Sequence, residues 1–169
     1  YLDMPMALLV QKLIAQIAES EKATLPYSEL VQMLDALKKR EPDWYDGQKT
    51  VVAALFMRTL TEKDPDLMAQ VTERFNNEID QAVALNSQDP QMLEIELFHQ
   101  LQQGDEGRSE IERFVNSHSQ SGVGHYYLAA AKCQVGDKEG CLDSLKVAVQ
   151  RDAKSERFQQ TLEKVSAAR

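Results

Sequence analysis

The chain has 169 residues, of which 43% are hydrophobic, 27% charged and 7% aromatic. This is a globular composition, and the length is typical of one domain or one short array of repeats. The net charge of −8 argues against a generic nucleic-acid binder, because no broad basic face is available to neutralise phosphates.

Apolar residues recur at helical spacing along nearly the whole chain, and alternating strand patterns are absent. The pattern predicts nine short helices joined by tight turns, which favours antiparallel neighbours stacked in sequence order. The predicted helices span residues 4–21, 27–40, 43–62, 65–86, 90–103, 107–118, 122–135, 138–151 and 155–167.

Local signals mark several of the predicted helix ends. Asp64 and Asp89 each precede a proline, which is typical of an N-cap followed by Pro at the first helical position. Gly104 and Gly136 each precede an aspartate at a predicted helix–helix turn. Glycine there can adopt the left-handed conformation that ends a helix.

The two cysteines, Cys133 and Cys141, lie on either side of one predicted turn. We interpret them as two buried, unpaired small residues, with a disulfide as the alternative. Two unpaired thiols would favour a reducing compartment and therefore the cytoplasm. A periplasmic location stays open if a leader was removed, since the chain begins at Tyr1 rather than Met.

Membrane insertion is not predicted. The longest uninterrupted apolar stretch runs only over residues 51–57, whereas a membrane-spanning helix needs about 20 residues.

Residues 122–153 carry the most informative pattern, an order of large and small apolar residues around a Gly-Asp turn. The positions that carry it are Leu128, Ala129, Cys141, Leu145 and Ala148. This order resembles the tetratricopeptide repeat, without gaps, although His125, Lys132 and Ala153 depart from that family's usual residues. The resemblance implies an all-α, right-handed superhelical solenoid of antiparallel helix hairpins.

The resemblance extends more weakly over the rest of the chain. Residues 11–42 form a second unit, and residues 155–167 form a predicted amphipathic cap that would bury Phe158. Between Leu55 and Phe75 the chain has about eleven more residues than the repeat expects, or about three helical turns. The two central helices are therefore predicted to project beyond their neighbours. The whole chain, 1–169, is predicted to be one domain.

No motif for catalysis or cofactor binding is present. The sequence lacks a glycine-rich phosphate loop, HExxH, CxxC and GxSxG. His118 and His125 flank a loop, but no convincing third metal ligand accompanies them. We therefore predict no metal, no cofactor and no enzymatic activity, with an accessory domain of a larger enzyme as an alternative.

In proteins of this family the first helix of each hairpin lines a concave groove that binds a peptide or a partner helix. The matching residues here are Val123, Tyr126, Ala130, Cys133 and Gln134. An exposed Tyr126 would offer apolar area and a hydroxyl at little cost in rotamer entropy. Tyr127 points about 100° away on the helix. The alternative is that one of the two tyrosines packs on the neighbouring hairpin.

Some family members hold the terminal carboxylate of a peptide with Lys and Asn side chains in the groove. Tyr126, Tyr127 and Ala130 stand among the matching positions here, which argues against a chaperone-type tail-binding role. Trp44, at the head of a long predicted helix, is expected to be a packing anchor between hairpins, or a binding hot spot if it is exposed.

The resulting functional prediction is a non-catalytic protein–protein interaction module or adaptor. The Gln-rich, acidic composition suggests a bacterial source, and the resemblance then implies a role in assembling a bacterial complex. The alternative is a structural scaffold that self-associates through the long central helices.

Overall fold

The computed structural model describes residues 1–18 and 25–168 and contains, within them, nine α-helices and no strands. The helices are α1 (Met6–Ala18), α2 (Tyr27–Arg40), α3 (Tyr45–Thr61), α4 (Pro65–Leu85), α5 (Pro90–Leu101), α6 (Gly104–Ser117), α7 (Gly122–Gln134), α8 (Lys138–Arg151) and α9 (Glu156–Ala167). The predicted all-α class is confirmed. Residues 19–21 of the first predicted helix, and residues 19–24 of the repeat predicted at 11–42, lie outside the described residues.

The capping signals act as predicted. The Asp64 carboxylate accepts hydrogen bonds from the backbone N–H groups of Asp66 and Leu67, with Pro65 at the first helical position. The Asp89 carboxylate accepts from the N–H of Gln91 at 2.9 Å. These bonds satisfy amides that have no partner inside their own helices.

Both turn glycines adopt the left-handed conformation, Gly104 with φ 62° and Gly136 with φ 81°. Helix α6 starts at Gly104, three residues earlier than the predicted residue 107. A Cβ at Gly107 would lie 1.7 Å from the backbone oxygen of Gln100. The absence of a side chain at Gly107 therefore lets α6 begin directly against the end of α5.

The chain groups into two compact units, Tyr1–Leu93 and Glu94–Arg169. In unit 1, α1 packs on α2 and α3, α2 packs on α3, and α3 packs on α4. In unit 2, α6 packs on α7, α7 on α8, and α8 on α9. Neighbours in sequence are thus mainly neighbours in space. The superhelical solenoid and the single domain stay predictions.

Among the described residues, α3 and α4 are the two longest helices, with 17 and 21 residues. Leu55 and Phe75, which bracket the extra length, are fully buried. The greater length agrees with the spacing in the sequence, while the projection of these helices beyond their neighbours stays a prediction.

The interior of unit 2 follows the large-and-small pattern of residues 122–153. Ala129, Cys141 and Leu145 form a buried cluster, against which Tyr126, Leu162 and Val165 pack. Helix α9 buries Phe158 to 2% exposure, and the Ser155 hydroxyl caps its first turn by accepting from the N–H of Phe158. Helix α9 thus packs on α8, while its role as the cap of a repeat array stays a prediction.

Candidate functional site

Two glycines and a serine position the start of α7, which carries all five predicted binding residues. The Ser121 hydroxyl accepts from the N–H of Gly124 at 3.1 Å and caps the helix. A Cβ at Gly124 would lie 2.8 Å from the Phe114 ring, and one at Gly122 would lie 3.1 Å from the Cβ of Asp152. Without side chains at these positions, the first turn of α7 seats close to both α6 and the end of α8.

Tyr126 is half-buried between α7 and α9. Its ring stacks on that of Phe158, with centroids 4.7 Å apart and an interplanar angle of 18°. The guanidinium carbon of Arg157 lies 4.9 Å from the Tyr126 centroid and 5.3 Å from that of Phe158. The Tyr126 hydroxyl lies 3.5 Å from Oγ1 of Thr161. The ring is therefore held in one orientation while part of its surface stays open to solvent.

Tyr127 is the inward-facing member of the pair, with 5% exposure. Its hydroxyl donates to Oε1 of Glu94 at 3.0 Å, and Arg157 forms an ion pair with the same carboxylate. Burial, together with the Glu94 charge, raises the pKa of the Tyr127 hydroxyl. Glu94 thus connects α5, α7 and α9 through two side chains that flank Tyr126.

The remaining predicted residues lie along α7 with graded exposure. Val123 and Ala130 are half-buried, and Cys133 and Gln134 are exposed. Sequence reasoning missed Arg157 and Thr161, which α9 brings beside Tyr126. The sequence contained one signal for Arg157, which directly precedes Phe158, the predicted aromatic anchor of α9.

The interpretation of the cysteines as two buried, unpaired thiols is wrong. Cys133 and Cys141 form a disulfide between the last turn of α7 and the first turn of α8, with Cα atoms 5.3 Å apart. Only Cys141 is buried, at 1% exposure, and Cys133 is exposed. The Gly136–Asp137 turn brings the two sulfurs together. The argument from free thiols to a reducing compartment no longer applies.

Unit 1 contains a buried charge network that the sequence analysis did not identify. Glu78 is 2% exposed, and its Oε2 accepts from Nζ of Lys38 at 2.6 Å and Nε2 of Gln48 at 2.8 Å. Its Oε1 accepts from Nε of Arg74 at 2.7 Å. Burial alone would raise the pKa of Glu78, but these donors and the two cations hold it below its usual value. The sequence contained one signal for this network, because Glu78 lies at helical spacing from Phe75, on the apolar face of α4.

A second polar contact in unit 1 ties α3 to the residue that precedes α5. Asp89 accepts from the Tyr45 hydroxyl at 2.8 Å and pairs with Lys49 at 2.9 Å. The hydrogen bond from Lys49 lowers the pKa of Asp89 to about 2. Burial and the Asp89 carboxylate raise the pKa of Tyr45 to about 12.

Trp44 lies next to this contact and packs over the first turn of α3. It is half-buried, and a Cβ at Gly47 would lie 2.5 Å from Cε3 of the indole. The indole therefore rests on the glycine backbone of its own helix.

The histidines are held by contacts with their neighbours or by burial. His118 stacks on Phe114 at 4.4 Å, and Nε2 of His125 lies 2.9 Å from the backbone oxygen of Ser119. His99 is buried, which lowers its pKa. Over residues 1–18 and 25–168, no three His, Cys, Asp or Glu side chains are grouped to hold a metal ion. In the same part of the chain, every helix is too short or too polar to cross a membrane.

Comparisons with protein-family models, curated proteins and solved structures found no match for this chain. The tetratricopeptide resemblance therefore rests on residue patterns alone, and most clearly on that of residues 122–153.

Proposed function

We propose that the chain is a non-catalytic protein-interaction module and that it binds an extended peptide or a partner helix along one side of α7 and α9. This surface, the α7–α9 face, consists of the predicted α7 residues together with Leu162 and Val165 of α9. The observation that carries the proposal is Tyr126, an aromatic side chain fixed between two helices yet partly exposed.

The Tyr126 ring is suited to binding because its orientation is set before a partner arrives. Stacking on Phe158 and the guanidinium of Arg157 restrict its rotamers, so little side-chain entropy remains to be lost on association. Tyrosine is also among the residues that most often dominate interface energies.

The surroundings of the ring have the composition expected of an interface. Leu162 and Val165 are half-buried and continue the apolar surface along α9. Exposed polar residues adjoin these positions in the sequence, with Gln134 next to Cys133 and Glu163 next to Leu162. An apolar centre with a polar rim is typical of protein–protein interfaces.

The test compares the parent chain with Tyr126→Ala in affinity capture from the source-cell lysate, followed by purification of each captured protein and calorimetric measurement of its Kd. Lys146→Ala serves as the control, since Lys146 is 61% exposed on α8, outside the proposed face. Both variants are first checked for folding by circular dichroism.

We expect Tyr126→Ala to weaken binding by about tenfold or more and Lys146→Ala to leave the Kd unchanged. Equal affinities for the parent and Tyr126→Ala would show that the binding surface lies elsewhere.

A second candidate function is self-association through α3 and α4. Leu60 and Leu85, near the ends of these long helices, are 45% and 51% exposed. A mass that rises with concentration in analytical ultracentrifugation, and that Leu60→Ala combined with Leu85→Ala returns to that of a monomer, would support it. A strict monomer at high concentration would count against it.

A further inference from the structure

The two sulfurs of the Cys133–Cys141 disulfide have very different access to solvent. Cys141 is 1% exposed and packs within the buried cluster of Ala129 and Leu145, whereas Cys133 is exposed in the last turn of α7. A thiolate attacks a disulfide sulfur along the sulfur–sulfur axis, from the side opposite the leaving sulfur. Cys133 is open to this attack because it is exposed, whereas Cys141 is enclosed in the buried cluster.

The hairpin that carries the disulfide is also held together by bonds that do not involve sulfur. Asp137 donates its N–H to the backbone oxygen of Lys132 at 3.0 Å, and its carboxylate accepts from the N–H of Gly140 at 2.9 Å. Nζ of Lys132 donates to Oγ of Ser144 at 3.0 Å, directly joining α7 to α8. Gly136 supplies the left-handed conformation of the turn. These contacts keep the two helix ends together when the sulfur–sulfur bond is open, so that the bond can form again.

We infer that Cys133 is a thiol-exchange site that reacts with dithiol reductants while the chain stays folded. A reductant thiolate attacks Sγ of Cys133, the bond between the two protein sulfurs breaks, and its electron pair leaves on Sγ of Cys141. That thiolate lies in the first turn of α8 and takes up a proton. The second thiol of the reductant then attacks the mixed disulfide and releases the Cys133 thiol. The dithiol ends as a cyclic disulfide, and the protein disulfide ends as two thiols.

This inference does not rest on the proposed interaction function, because it concerns the chemistry of the disulfide and not the binding of a partner. It makes Cys133 the residue at which a cellular or added dithiol would act.

The experiment uses the full chain in native buffer with dithiothreitol. Samples are taken over time, alkylated with iodoacetamide while folded, and then unfolded and labelled with N-ethylmaleimide before peptide mass spectrometry. We expect reduction both in native buffer and in a parallel series at urea concentrations well below the unfolding transition, with iodoacetamide labelling Cys133 at least about tenfold faster than Cys141. Equal alkylation of the two sulfurs, or reduction only in proportion to the unfolded fraction, would overturn the inference.

Single-cysteine variants give an independent measurement with oxidised glutathione as the probe. Cys141→Ala leaves Cys133 as the attacking thiol and is expected to form the glutathione mixed disulfide under native conditions. The matched Cys133→Ala is expected to form it only after unfolding. The reverse order of reactivity would place the exchange site at Cys141 and refute the assignment to Cys133.

Discussion

Units 1 and 2 hold similar helix packings together by different chemistry. In unit 1, the buried carboxylate of Glu78 receives donors from Lys38 of α2, Gln48 of α3 and Arg74 of its own helix. In unit 2, the links include a disulfide between α7 and α8 and the stack of Tyr126 of α7 on Phe158 of α9.

The difference separates groups that only support the fold from groups that a partner can reach. Glu78 is buried, and both of its oxygens accept bonds from within unit 1, so it has nothing to offer to a ligand. In unit 2, the side chains that link helices include Tyr126, which is partly exposed, and Cys133, which is exposed. The α7–α9 face and the exposed cysteine therefore lie in unit 2, although unit 1 has the more elaborate polar network.

The largest effect is expected from Glu78→Ala in unit 1. The substitution leaves two cations and the Gln48 amide around a vacated acceptor, which should lower the free energy of unfolding by about 4 kcal/mol. Urea unfolding followed by the fluorescence of Trp44, the single tryptophan of the chain, would measure it. Asp35→Asn removes a 57% exposed partner of Arg74 and should cost less than about 1 kcal/mol. If both variants lost the same free energy of unfolding, the burial of Glu78 would not add to the stability of the fold.

In unit 2, Phe158→Ala is expected to cost about 3 kcal/mol, because it removes a ring that is 2% exposed and the surface on which Tyr126 stacks. Hydrogen exchange of α7–α9 peptides would report the loss, with Trp44 fluorescence as a check that unit 1 stays intact. The exposed Glu163→Ala on the same helix is the control. If α9 peptides exchange equally in both variants, the helix does not depend on its aromatic anchor.

Reduction of the disulfide should have the next largest effect. Opening a loop with a sequence separation of 8 removes about 2.5 kcal/mol of constraint on the unfolded chain. We expect tris(2-carboxyethyl)phosphine to destabilise α7 and α8 in hydrogen exchange while unit 1 is unchanged. The double variant Cys133→Ala, Cys141→Ala should not respond to the reductant. If the reductant also changed hydrogen exchange in unit 1 of the parent, the two units would not be stabilised independently, contrary to this comparison.

Much of the fold could be predicted from local signals in the sequence. Helices α2 and α8 have their predicted bounds, and Asp64, Gly104 and Gly136 act as their residue types indicate. These features depend on contacts within a few residues, for which a single sequence is sufficient.

The features that sequence reasoning missed depend on contacts between helices. Glu78 was unexpected because two of its donors come from α2 and α3, which a helical pattern cannot place, although the pattern does place Arg74 one turn away on α4. The disulfide was considered only as the alternative, since a spacing of eight residues fits both a bonded and an unbonded pair. For the candidate face, sequence reasoning identified Tyr126, whereas Arg157 came into view only when α9 was placed beside α7.

The smallest effect should come from acid, and it should fall on unit 1. Lys49 and the Tyr45 hydroxyl hold the pKa of Asp89 at about 2 in the folded chain, below the ordinary value of 3.8. The unfolded chain therefore takes up this proton first, so the stability that Asp89 contributes is complete above pH 3.8 and is lost as the pH falls towards 2. Asp89→Asn should flatten the decline of Tm over that interval, as followed by Trp44 fluorescence, whereas Asp43→Asn, at an exposed position, should leave it unchanged. An unaltered acid profile in Asp89→Asn would remove this contact from the forces that hold α3 in place.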